Sequence, residues 1–238
     1  MFSIEKPLNP TRTLIIAGFC DSQELEEYKN SVYNSEKMVE YYTIPHHNVL
    51  FLVFYDLRES VKFYSNFKHE ELGISYSISK HELPKRNEEC TEKHLQGSVI
   101  FFFKNIDVKI EDNFVINFLK QYGEIKALKY SSTYQKTIEF FDIRDARKAF
   151  NALNGSPFGT GEISCFWAWD IPVGSRVEYI RLADELIRQG GSEASPKRAR
   201  IEIKSDAKVE ASSKKNMFVA AFDKFIVENI MEIEKMFR

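Results

Sequence analysis

The 238-residue chain is long enough for two small domains, or one large one with a tail, and its 43% hydrophobic and 14% aromatic content supplies packed cores, which excludes global disorder. With 33 basic side chains against 35 acidic ones the formal charge is -2, so no overall field draws in nucleic acid, and any phosphate contact has to come from local clusters of Lys and Arg. Cys20, Cys90 and Cys165 lack paired spacing, which excludes a disulfide framework or a zinc site as the organising element.

In chain order, Met1 to Pro10 carries charge and two prolines rather than an apolar segment, and the longest apolar runs are strand-sized, so an intracellular protein of nucleus or cytoplasm with no membrane association is expected. A first strand is expected at Thr13 to Ala17, then a polar turn and a helix. A β-branched and aromatic run gives a strand at Val49 to Tyr55. Asp56 then sits where a helix N-cap belongs, with helically spaced apolar residues behind it, and a last strand lies near Gly73 to Ser77.

The pattern then returns. Val99 to Phe103 reads as a strand and Glu111 to Gln121 as a helix stopped by Gly123, after which Gly123-Glu124-Ile125 opens another strand. Lys136 to Phe141 is a strand, Asp142 an N-cap, and Glu162 to Trp167 a final strand. Phe54-Tyr55-Asp56-Leu57-Arg58, with Lys62 and Tyr64, recurs as Phe140-Phe141-Asp142-Ile143-Arg144, with Lys148 and Phe150, 86 residues on (140 minus 54). A β-α-β-β-α-β order used twice predicts an α+β protein: two ferredoxin-like domains in tandem with C-terminal helices, each sheet having both helices on one face and the other face open. The expected bounds are 11–80 and 97–170, joined by a linker at 81–96.

Behind them, 171–190 reads as a charged helical extension ended by Gly190-Gly191. Residues 191–215 are polar, rich in both charge signs and expected to be flexible. Within them Lys197, Arg198 and Arg200 form a basic cluster suited to a nuclear import receptor or to an auxiliary phosphate contact. From 216 to 238, Phe218, Phe222, Phe225, Ile226, Ile230, Ile233 and Phe237 fall on one face of an amphipathic helix, which can dock back on a domain, recruit a protein partner or self-associate. Its acidic polar face argues against a membrane surface.

Several short segments narrow the family. Tyr76-Ser77-Ile78-Ser79-Lys80 is similar to the "HYSIPK" exit, and Gln96-Gly97-Ser98 to the "NQGT" entry, of the Mei-two-like family of meiotic RNA-binding proteins. Gln121-Tyr122-Gly123-Glu124-Ile125-Lys126 resembles its "YGEIK" turn, and Ile138-Glu139-Phe140-Phe141-Asp142-Ile143-Arg144 its "FIEFYDVR" strand. The resemblance covers about residues 12 to 170 and corresponds to that family's first two RNA-recognition motifs (RRMs); nothing after Pro172 resembles its C-terminal RRM. It implies RRM domains, single-stranded RNA as partner, and RNA-associated control of meiosis or differentiation.

An RRM binds by stacking bases on rings that project from its central strands. In the first domain Ile15 and Val49 occupy two of the three ring positions and Phe51 the third, so Phe51 is the candidate there, its alternative being a strand aromatic covered by the C-terminal segment. In the second, Phe140 is expected to face the core, leaving Gln135 and Thr137 on the open face. Ile100, Phe101, Phe102 and Phe103 must alternate between faces in an unresolved register, with at least one ring outward. Lys104, Lys126, Lys129, Lys136 and Arg144 are a candidate phosphate track, or simply solvated charges. Because Glu24, Glu26, Glu27, Glu36 and Glu40 surround the first sheet, the second domain is the better RNA holder.

The expected function is therefore single-stranded RNA binding, mainly by the second RRM, in a post-transcriptional regulator. The alternative is a protein-interaction scaffold that kept the fold and lost its rings, with Trp167 and Trp169 as anchors. No cofactor or metal is expected: His46, His47, His69, His81 and His94 lack ligand spacing. Enzyme readings find no positioned nucleophile, base and orienting group.

Overall fold

The computed structural model describes residues 9–44, 47–83 and 89–190. The basic cluster at Lys197, Arg198 and Arg200 and the amphipathic stretch from Asn216 therefore lie outside the described residues. Two antiparallel sheets are formed. The first takes β1 (Thr13–Ala17), β2 (Met38–Ile44), β3 (Val49–Phe54) and β4 (Gly73–Ser77) in the order β2-β3-β1-β4, with α1 (Ser22–Val32) after β1 and α2 (Leu57–Asn66) after β3. Leu14, Ile16, Leu50, Leu52 and Phe54 point to the helices and form its core with Leu25 and Leu72.

The second sheet repeats the plan with β5 (Ser98–Lys104), α3 (Asp112–Leu119), β6 (Ile125–Ser131), β7 (Gln135–Phe140), α4 (Ile143–Leu153) and β9 (Gly161–Ala168). Sequence reasoning missed one addition. A short strand β8 (Ser156–Phe158) folds back on β9, giving the order β6-β7-β5-β9-β8. Its two ends turn at Gly155 and Gly159, whose φ angles of 78° and 58° lie in the left-handed region where glycine is preferred. Val99, Phe101, Phe103, Ile138 and Phe140 supply the helix-side core.

The repeated segments cap and clasp at once. Asp56 and Asp142 each accept a bond from the backbone N–H two residues on, as N-caps do, and each also holds the guanidinium of that same residue, Arg58 or Arg144. The two copies then meet each other. Asp56 and Asp142 form an antiparallel bridge in which Leu57 N donates to Phe141 O (3.0 Å) and Ile143 N to Tyr55 O (3.1 Å). Arg58 lies over the Phe141 ring at 4.8 Å, and Arg144 over the Tyr55 ring at 4.5 Å. The contact has local two-fold symmetry, the geometry of a self-complementary patch, and each cation sits where a ring face attracts it. Arg144 therefore belongs to the junction of the domains: its other nitrogen donates to Glu36 O.

The helical extension is α5 (Val173–Gly190), and it does not stand free. It packs along β4 and β1 on the face opposite α1 and α2, where the missing side chain of Gly73 makes room for Leu186: a Cβ there would lie 2.6 Å from the leucine's Cδ1. Tyr179 donates its hydroxyl to Asn9 O (2.9 Å). Buried Tyr179, Ala183 and Ile187 recur every four residues, which is the stripe a helix needs to bury one side. The expectation of an open face on the first sheet is thus corrected: β1 and β3 are buried throughout their length.

Candidate nucleic-acid interface

Among the described residues nothing covers the second sheet on the side away from its helices, and the pairing fixes which residues line that face. Ile100 lies opposite Thr137 on β7 and Phe166 on β9, while Phe102 lies opposite Gln135 and Ser164; Tyr130 on β6 faces Thr137. Directly paired residues share a face, so Tyr130, Thr137, Ile100 and Phe166 form one row across four strands, with Phe102 diagonally beside Phe166. Phe102 is 37% exposed, Tyr130 53% and Phe166 55%. At about 4.8 Å between strands the row spans about 14 Å from Tyr130 to Phe166.

This settles the register that four successive apolar residues leave open. Phe101 and Phe103 lie in the core, so Phe101 is withdrawn as a ligand-facing ring, and Ile100 and Phe102 point outward. Gln135 and Thr137 stand on the open face, and Phe140 in the core, as their alternation predicts. Lys136 is a further correction. It pairs with Phe101, faces the helix side, and is buried against Asp112 (2.6 Å) and Ser131 (2.8 Å). The ammonium holds the Asp112 carboxyl below its ordinary range. Tyr130 and Phe166 were not singled out from the sequence. The signal for Phe166 is its place between Cys165, which is buried, and Trp167, which stacks on Phe150 at 4.8 Å: both neighbours face the other way.

The remaining basic side chains lie at this face but are already engaged. Lys104 pairs with Glu162 (3.4 Å), Lys126 with Glu139 (2.8 Å), and Lys129 with Glu139 (3.7 Å) while also donating to the Asp170 carbonyl (2.7 Å). One end of the face is therefore filled by the Glu139 carboxylate and its two lysines. Among the described residues, the part bearing Phe102, Gln135, Tyr130 and Phe166 has only the exposed Lys104–Glu162 pair at its edge.

The first domain offers no such platform. Phe51 is only 8% exposed and stacks on Tyr42 at 4.8 Å with ring planes 9° apart. Lys80 N donates to the Tyr42 hydroxyl (3.0 Å) and the Lys80 ammonium lies over that ring. Burial pushes the Tyr42 phenol up from its ordinary range. No base can reach Phe51 in this arrangement, because Ile15, Val49 and Val53 around it are buried too. Trp169 is likewise turned inward, between His94 (4.7 Å) and the Arg176 guanidinium (4.2 Å).

Where the domains meet, a cleft of about 600 Å³ holds Arg12, Arg58, Lys126, Glu82, Glu139 and Asp170. Burial raises the Glu82 carboxyl above its ordinary range and lowers the Arg176 guanidinium, whose nitrogens donate to Glu82 O (2.5 Å) and Ile171 O (2.9 Å). Among the described residues no helix is long and apolar enough to cross a membrane.

Two β-α-β-β-α-β units with these strand orders, the second extended by β8, define a tandem RRM fold. Its sequence is similar to MEI2-like proteins of plants: 29% identity over 154 residues with Protein MEI2-like 4 of Oryza sativa subsp. japonica, and 28% over 156 residues with Protein MEI2-like 5 of Arabidopsis thaliana, each covering 61% of this chain. The matches span only 14% and 18% of those proteins. No family model matches. Among solved structures, the Rna15 RRM with bound RNA (GU) matches 36% of this chain and 98% of its own at 19% identity and a TM-score of 0.29; RNA-recognition domains 1 and 2 of Sex-lethal from Drosophila melanogaster match 66% and 100% at 14% and 0.26.

Proposed function

We propose that the chain binds single-stranded RNA on the open face of its second RRM, with bases stacked on Phe102, Phe166 and Tyr130. The observation that supports this most directly is that three exposed rings share the face of an RRM sheet away from its helices, and such a face stacks two or three bases. Gln135, on the third strand where the usual signature has rings, offers hydrogen-bonding groups beside Phe102 instead, while Thr137 is buried in the floor of the face. Ile100 forms the apolar floor between the rings. Lys104, Lys126 and Lys129 supply phosphate contacts once their carboxylate partners yield. In this reading the first RRM supports rather than binds, and the protein acts as a post-transcriptional regulator in nucleus or cytoplasm, as the similarity to MEI2-like proteins suggests.

The test is a fluorescence-anisotropy titration of the whole chain against a short single-stranded RNA pool, repeated at several salt concentrations. Saturable binding that weakens with salt is expected. Absence of saturable, salt-sensitive binding at modest ionic strength refutes the reading.

A further inference from the structure

The first RRM has a sealed sheet, yet one of its side chains reaches into the frame of the second. Arg12 precedes β1, and its carbonyl accepts from Phe54 N (2.9 Å), which fixes its backbone to the first sheet. Its buried guanidinium crosses to the second domain. There Nη2 donates to Phe140 O (2.6 Å), Nε and Nη2 donate to Phe141 O (3.3 and 3.2 Å), and Nη1 pairs with the Asp170 carboxylate. Gly97 has no side chain, and the space one would occupy is taken by the Arg12 guanidinium.

Asp170 passes this anchoring on. Its carboxylate accepts from Gly97 N (2.9 Å) and Ser98 Oγ (2.6 Å) at the start of β5, the strand that carries Ile100 and Phe102. Lys129 donates to the same Ser98 hydroxyl (3.3 Å) and to the Asp170 carbonyl. One cation from the first domain thus holds the end of β7, the start of β5, and, through Ser98 and Asp170, the lysine at the filled end of the face. Both ions are buried, so neither has water as a substitute partner: removing one leaves the other uncompensated.

We propose that Arg12 is a positioning residue for the RNA face of the second RRM, so that the first RRM contributes to binding through this side chain and not through its own sheet. This rests on the RNA-binding reading above. A site is only as well defined as the residues behind it, and here those residues come from the neighbouring domain. The reciprocal clasp of Arg58 and Arg144 keeps the domains together so that Arg12 reaches its carbonyls.

The test uses the whole chain carrying Arg12→Ala, Arg12→Lys or Asp170→Asn, with amide hydrogen exchange read residue by residue by NMR and affinity read on the short single-stranded RNA pool. Arg12→Ala is expected to speed exchange at Gly97 and Ser98 while the β1–β3 amides keep their protection, and to weaken RNA binding by about tenfold. Arg12→Lys keeps a cation beside Asp170 but loses the fork that reaches Phe140 O and Phe141 O, and is expected to restore only part of both. Should Arg12→Ala fail to fold, Asp170→Asn carries the test, with the same local loosening expected. Unchanged exchange at Gly97 and Ser98, or wild-type RNA affinity in Arg12→Ala despite faster exchange there, overturns the proposal. A wild-type chain that does not bind the pool defeats the RNA reading instead, and exchange at Gly97 and Ser98 then decides the structural part alone.

Discussion

Replacing two adjacent phenylalanines, Phe101 and Phe102, by alanine in separate variants tests the register of β5 from both sides. Phe101 is fully buried in the second core, so Phe101→Ala removes a whole packed ring and leaves a cavity, at a cost of about 3–5 kcal/mol of stability. Phe102 already has 37% of its surface in solvent and lies on the open face; losing it costs about 1–2 kcal/mol, at or below the value for a fully buried ring. The order reverses for RNA. A base stacked on Phe102 contributes about 1–3 kcal/mol, and at 1.4 kcal/mol per factor of ten its loss weakens binding about 5- to 150-fold. The assays are urea unfolding followed by circular dichroism and anisotropy titration with a single-stranded RNA pool under conditions where both variants stay folded. A Phe102→Ala chain that binds with wild-type affinity, or that unfolds more easily than Phe101→Ala, refutes the assignment.

Three lysines at the open face limit the salt dependence: at about 0.7 counterions released per phosphate of a single strand, the slope of log affinity against log salt is expected to be no steeper than about -2. Glu139→Gln removes the carboxylate that neutralises Lys126 and Lys129 and should tighten RNA binding and steepen that slope; weaker binding would contradict the electrostatic account. Ile187→Ala, on the buried stripe of α5, should lower stability by about 2–4 kcal/mol in urea unfolding and leave RNA affinity unchanged; a gain in affinity would mean that the first sheet binds when uncovered. Burial raises the folded-state pKa of Glu82, so its contribution is fully present below the unfolded value of about 4.3 and is lost as pH rises through the folded value. Glu82→Gln is therefore expected to flatten the stability profile across that window and to hold stability better than wild type at neutral pH, as measured by urea unfolding at a series of pH values; an unchanged profile would remove Glu82 as its source.

Much of the fold can be read from the repeat. Asp56 and Asp142 announce helix starts, and the strand-to-helix order around them is what the structure contains. What escapes is long-range. Val-Leu-Phe-Leu-Val-Phe in β3 is continuous rather than alternating, the composition of a strand covered on both faces, and read that way it foretells that something lies over Phe51. The cover over Phe51 itself is Tyr42 with the Lys80 segment, while the charged helix α5 lies over β4 and β1, where Gly73 admits Leu186; no local pattern reveals either contact. The second role of the repeated segment, as a clasp between its own two copies, needs the domains to be in place before it exists. At the candidate face the difficulty is different: Ile100 to Phe103 are all apolar, so periodicity carries no phase there. The strand that does alternate, β7, gave Gln135, Thr137 and Phe140 their faces correctly, whereas Lys136 misleads because its charge suggests solvent while its ammonium is buried against Asp112.

The most direct test of the central claim is an NMR titration of the whole chain with a short single-stranded RNA, following backbone amides and aromatic side chains together. The account predicts that shifts concentrate on Phe102, Tyr130, Gln135 and Phe166 and leave β3 and α5 unmoved. Shifts centred on Phe51 and α5, or none at saturating RNA, would contradict it.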